Sequence, residues 1–261
     1  MRPTTLHWRE SLLEGLELAG FMVSALAATA LIEHPASPVR QVLPSALVRR
    51  AVIGIAMGLT AASIIYSPWG RRSGAHFNPS VTLTFLRLGK IAPLDALFYV
   101  IAQFAGAGAG VGLGSTLLRS MLADPAVNYV ATVPGPSGAA IAFLAELAIS
   151  FGMMTTILLV SNSARYARLT GLVGACLVAL YITIEAPLSG MSMNPARSFA
   201  PALAAGRIEP LWIYFAAPPL GMLCAAELYV RRYGRATVRC AKLNHPATGH
   251  CHFHCEMKAT P

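Results

Sequence analysis

Six stretches of the chain, at about residues 10–32, 49–67, 92–118, 139–161, 168–187 and 210–230, are apolar over the length needed to cross a membrane. A helix rises 1.5 Å per residue and the hydrocarbon layer is about 30 Å thick, so roughly 20 residues span it. Every backbone N–H and C=O at that depth must find a partner inside its own segment or in a closed barrel. Runs this long therefore predict an all-α membrane protein with six transmembrane helices. Composition agrees, with 55% of the 261 residues apolar and 12% charged, against about 25% charged in a soluble domain. A net charge of +9 would suit nucleic acid on a soluble domain, but a mean hydropathy of +0.57 leaves too little polar surface, and nucleic acid is excluded as a partner. Arg2, Arg9 and the Ala-rich residues 25–30 give the first run the look of a secretory signal; Glu14 and Glu17 inside it argue against cleavage.

Two further apolar stretches, about 78–88 and 194–205, are too short to span, and each opens with Asn-Pro. Asn is a favoured N-cap, and Pro fits the first helical position because its missing N–H would be unpaired there anyway. Each stretch thus predicts a half-length helix, beginning at Asn78-Pro79-Ser80 and at Asn194-Pro195-Ala196. These belong to an internal repeat. Gly74 and Gly190 each precede their Asn by four residues, Gly89-Lys90-Ile91-Ala92-Pro93 answers Gly206-Arg207-Ile208-Glu209-Pro210, and Glu17-Leu18-Ala19 answers Glu146-Leu147-Ala148. Each half, about 8–118 and 139–233, carries three spans, so the second is inverted relative to the first. With the N-terminus inside, fourteen of the Lys and Arg residues fall on the cytoplasmic side against six outside, so both termini are expected to be cytoplasmic.

Irregular backbone at membrane depth survives only where protein buries it or a watery cavity adjoins it. Half-helices entering from opposite faces would bring two positive dipole ends and the Asn78 and Asn194 amides to one point. That arrangement repels cations and offers donors to a neutral oxygen, as a pore for uncharged molecules requires.

The stretch Gly74-Ala75-His76-Phe77-Asn78-Pro79-Ser80-Val81-Thr82-Leu83, with Met193-Asn194-Pro195-Ala196-Arg197-Ser198-Phe199 and with Gln103, Gly106 and Ala107 on the third span, resembles the boxes of the aquaporin, or major intrinsic protein, family. The likeness covers about residues 8–233; Ser80, where the family usually has Ala, is its one departure inside the boxes. It implies a passive channel in the plasma (inner) membrane, usually a homotetramer with one pore per subunit, with membrane lipid around it, no enzymatic activity and no required cofactor. It also implies that Asn78 and Asn194 are the central donors and that Arg197 is the cation of a narrow outer filter completed by Met57, Ile182 and Met191, with Gly58 the alternative to Met57. Glu17 and Glu146 are the expected buried acids bracing the half-helix loops, with Glu14 the rival to Glu17. Permeants are expected to be water, small neutral solutes such as glycerol, or both: Ser198, Ala202, Tyr214 and Phe215 stand where water-type members differ from glycerol facilitators, whereas the Met and Ile of the filter favour a wider solute pore.

Residues 234–261 form a tail set apart from the 1–233 channel domain, with soft and borderline metal ligands in Cys240, His245, His250, Cys251, His252, His254 and Cys255. Zinc or copper is the expected metal, although the spacing matches no standard zinc module. The thiols should be reduced in the cytoplasm, and the tail should be dispensable for basal permeation. Two other functions stay open at this point, a secondary active carrier on the same inverted-repeat plan and a metal-handling membrane protein built on the tail. A coupled carrier generally needs an ion site at the midplane, and no carboxylate stands beside either Asn-Pro.

Overall fold

Residues 6–245 and 251–256 are described in the computed structural model of the chain. Its main helices are α1 (Trp8–Glu33), α2 (Ala46–Tyr66), α3 (Pro79–Arg87), α4 (Pro93–Leu122), α5 (Gly138–Ser161), α6 (Thr170–Ile184), α7 (Pro195–Ala205) and α8 (Leu211–Tyr233). Six of these are long and apolar enough to cross a membrane, α6 together with the short turn Ala167–Leu169 before it, while α3 and α7 are the two half-helices. No strand occurs among the described residues. The six spans fall where the apolar runs predict them. The largest difference is at the end of the third, where α4 continues to Leu122 past a break in helical geometry at Leu118.

Within the first half α1 packs along α4, within the second α5 packs along α8, and α2 against α6 joins the halves. Small residues make these approaches close. A Cβ on Gly106 would overlap the backbone of Gly15, and one on Gly221 would lie 2.5 Å from the Leu147 carbonyl oxygen. Gly15 and Leu147 are therefore equivalent positions of the repeat, and so are the acids before them, Glu14 and Glu146. Aliphatic side chains such as Leu12, Ile55, Leu59, Ile101, Leu172 and Leu228 point outward, as a lipid-facing surface needs.

The tail leaves α8 at Gly234 and, apart from the short turn Arg235–Thr237, has no regular structure among its described residues. It folds back onto the face where α1 begins and α3 ends, rather than standing apart. Val238 and Ala241 are fully buried there, and Cys240, Leu243 and Phe253 nearly so.

Candidate functional site

The chain turns back on itself twice, at residues 74–78 and 190–194, and the two turns are built alike. Gly74 (φ +109°) and Gly190 (φ +81°) reverse the chain in left-handed conformation, which glycine adopts without steric cost. Ala75, Phe77, Met191 and Met193 also hold positive φ, between +30° and +56°, so the surroundings must fix them. Ser73 Oγ accepts from the Ala75 N–H at 3.0 Å, and Ser189 Oγ from the Met191 N–H at 3.1 Å. The hydroxyls of Tyr99 and Tyr214, each seven residues before Gly106 or Gly221, donate to the carbonyls of Ser73 and Ser189.

Buried carboxyl groups hold the next two amides of each turn. Glu146 accepts from the N–H groups of Ser192 (2.7 Å) and Met193 (2.8 Å), and from Ser189 Oγ. In the first half it is Glu14 that does this, accepting from His76 (2.9 Å) and Phe77 (2.6 Å) and from the Gln103 amide. Glu17 is also buried, but one turn along α1 it reaches Ser73 Oγ and not those amides. The Glu17-Leu18-Ala19 match to Glu146-Leu147-Ala148 is thus three residues out of register, about 4.5 Å along a helix axis.

The turns deliver Asn78 and Asn194 to the N-termini of α3 and α7. Asn78 Oδ1 accepts from the Ser80 N–H, and Asn194 Oδ1 from those of Ala196 and Arg197. Each side-chain amide also reaches across: Asn78 Nδ2 donates to the Met193 carbonyl and Asn194 Nδ2 to the Phe77 carbonyl, both at 2.8 Å. The two half-helices therefore meet N-terminus to N-terminus. An NH2 group has two N–H donors, so each amide keeps one beyond this crossing bond.

Both asparagines lie on the wall of a cavity of about 870 Å³ that includes its open ends. Met57, Ile182, Met191 and Arg197 share that wall, which is otherwise mostly apolar, with Phe21, Ala25, Val81, Met153, Ile157 and Val178 among its residues. Gly58 faces elsewhere, since a Cβ added to it would lie 2.7 Å from the Ala175 carbonyl oxygen of α6. Arg197 donates from Nη1 to the Val130 carbonyl at 3.0 Å, and Ser198 beside it joins Thr132 and Ser192 in a buried hydroxyl chain. No carboxylate is among the described residues of the wall. Pro79, Ser80, Pro195 and Ala196 are buried in the first turns of the half-helices and fix their starts. His76, also on the wall and in contact with the tail, bonds Thr82 Oγ1 and the Ala241 carbonyl, with its ring near those of Phe85 and Phe253.

The sequence profile of the family described as "Major intrinsic protein" matches residues 5–229. The chain belongs to the major intrinsic protein family. Among its relatives, it is 36% identical over 178 residues to a putative aquaporin NIP4-1 of Arabidopsis thaliana, covering 68% of this chain and 61% of that one. It is 37% identical over 176 residues to aquaporin NIP2-3 of Zea mays, covering 67% and 56%. To aquaporin NIP2-1 of Oryza sativa subsp. japonica it is 34% identical over 211 residues, covering 80% and 68%. The chain thus spans about three fifths of the length of the first two. An X-ray structure of the aquaglyceroporin from Plasmodium falciparum has the same fold, with a TM-score of 0.73 at 21% identity over 88% of this chain and 98% of that one.

The tail ligands separate into two groups. Cys240, His245, Cys251 and Cys255 converge, with all four ligand atoms within 4.8 Å of one another. The Cys240–Cys251 hydrogen bond, at 3.6 Å between sulfurs, holds the Cys251 thiol below its ordinary range and pushes Cys240 above it. His252 instead meets the Tyr99 hydroxyl, and His254 Nδ1 lies 2.9 Å from the Gly89 carbonyl. His250 lies outside the described residues.

Proposed function

We propose that this member of the family is a passive, non-enzymatic channel for water and small neutral solutes such as glycerol, working as a homotetramer in the lipid of the plasma (inner) membrane with both termini cytoplasmic. Residues 1–233 are its channel domain and 234–261 its tail. The observation that carries the reading is the meeting of two half-helix N-termini, each bearing an Asn amide, on one apolar cavity. Each N-terminus presents about half a positive charge, so a cation pays at the point where a neutral oxygen gains a donor. In this reading Asn78 and Asn194 are the central donors. Arg197, with Met57, Ile182 and Met191, is the outer filter. A wall with no carboxylate among its described residues also fits a channel better than an ion-coupled carrier.

The filter favours solutes as well as water. One strong donor stands among three apolar side chains, which suits the hydroxyl and hydrocarbon edges of a small polyol, and the two methionines can adapt in shape. The tail adds a capacity for zinc or copper through its clustered thiols and imidazole.

Substitution of a central asparagine tests the pore. A net amide hydrogen bond is worth about 1 kcal/mol, or roughly fivefold in rate, and leucine adds bulk at the crossing. Asn194→Leu should therefore cut osmotic water flux at least about fivefold in correctly assembled proteoliposomes. Flux equal to wild type would refute the role of the half-helix junction.

A further inference from the structure

The four converging tail ligands lie within 4.8 Å of one another, near the separations of a coordination shell. A tetrahedral zinc with Zn–S near 2.3 Å and Zn–N near 2.0–2.1 Å has ligand-to-ligand edges of roughly 3.5–3.8 Å. Here the Cys240 and Cys251 sulfurs are 3.6 Å apart, Cys255 Sγ and His245 Nε2 are 3.2 Å apart, and all pairs lie within 4.8 Å. Three thiolates and one imidazole in a four-coordinate shell suit zinc.

What the site encloses gives it a consequence. Leu243 lies between the ligands Cys240 and His245, and its side chain is part of the wall of the conduit itself. Its N–H donates to the carbonyl of Gly74, the residue that turns the chain toward Asn78, while the Ala241 carbonyl meets His76 Nε2 at 2.9 Å. Phe253, between Cys251 and Cys255, stacks on the His76 ring with centroids 5.6 Å apart. Among its described residues the segment has no helix or strand, so only these contacts hold it here, and a metal joining Cys240 and His245 to Cys251 and Cys255 would tie its two ends together.

We propose that Cys240, His245, Cys251 and Cys255 bind one zinc ion, which clasps the tail across the terminal mouth of the conduit and holds Leu243 in its path, so that zinc-loaded protein conducts less than zinc-free protein. The conduction half of this rests on the channel reading above; the metal half does not. Coordination requires deprotonated thiols, so zinc uptake releases protons.

The test uses the full chain in proteoliposomes, with bound zinc measured by mass spectrometry and water flux by stopped-flow light scattering. Wild type should hold about one zinc per chain, and the double variant Cys251→Ser/Cys255→Ser should hold none. If flux follows the fraction of mouths left open, it should rise about threefold or more in the double variant and in chelator-stripped wild type. Leu243→Ala should raise flux with its zinc retained, which separates the lid from the clasp and needs no change to a ligand. Zinc in wild type no higher than in the double variant would overturn the site. Equal flux in loaded, stripped and Leu243→Ala protein would overturn the lid. If nothing conducts above empty vesicles, the channel reading fails and trypsin cleavage at Lys242 decides the clasp: slower cleavage with zinc supports it, and equal cleavage rejects it.

Discussion

Replacing the two acids of α1 one at a time separates the residue that builds the first re-entrant turn from its neighbour. Glu14 is fully buried and its carboxyl oxygens accept the His76 and Phe77 N–H groups and the Gln103 amide. Glu14→Ala leaves two backbone donors at membrane depth without their acceptor. Each such orphan costs about 1–3 kcal/mol, so the backbone part of the loss alone is about 2–6 kcal/mol. Glu17 accepts one hydroxyl, from Ser73, which already serves the Ala75 N–H as acceptor. Glu17→Ala orphans that one buried hydroxyl donor, so it should cost about 1–3 kcal/mol, half the backbone part of the Glu14→Ala loss. Thermal unfolding of the purified protein in detergent, with water flux of each variant in vesicles, gives the comparison: Glu14→Ala should lose more thermal stability and more flux, as should Glu146→Ala by the same bonds in the second half. Equal losses for Glu14→Ala and Glu17→Ala would refute the assignment of the brace and the repeat register on which it rests.

Two further outcomes concern the wall. Arg197→Val removes the guanidinium that the channel reading gives to the outer filter, so neutral flux should hold or rise while protons leak; fluorescence of a trapped pH dye under an imposed gradient reads the leak, and a leak no greater than wild type would leave the barrier to the half-helix dipoles alone. Ile182→His adds bulk and a second polar group on the wall that Arg197 shares, so glycerol entry should fall by a larger factor than water efflux; equal reductions would show that position 182 does not select between them.

The positions of the spans and half-helices were legible because each rests on a local signal: apolar length for the spans, and a capping Asn followed by Pro for α3 and α7. The spacing from Gly to Asn placed both turns, since the positive φ at Gly74 and Gly190 is a property of those residues themselves. The brace was harder to see. Glu14 and Glu17 lie on neighbouring faces of one helix, and only the approach of α1 to Gly106 decides which meets the turn. A signal existed in the paired spacings from Tyr99 to Gly106 and from Tyr214 to Gly221, and in Ser before Gly at 73 and 189. The tail resisted reading most, because its order comes from long-range contacts with Arg71, Gly74, His76, Lys90 and Tyr99 that no periodicity in residues 234–261 encodes. For the same reason nothing in residues 234–261 pointed to Leu243 as part of the cavity wall.

The central claim is that an apolar conduit crosses the membrane and carries neutral molecules past the two asparagines. Stopped-flow light scattering on proteoliposomes, with zinc removed, measures it directly through shrinkage in an impermeant osmolyte and re-swelling in glycerol. The account predicts water efflux and glycerol entry both faster than in lipid-only vesicles. Rates matching lipid-only vesicles for both, with the protein inserted and assembled, would contradict it.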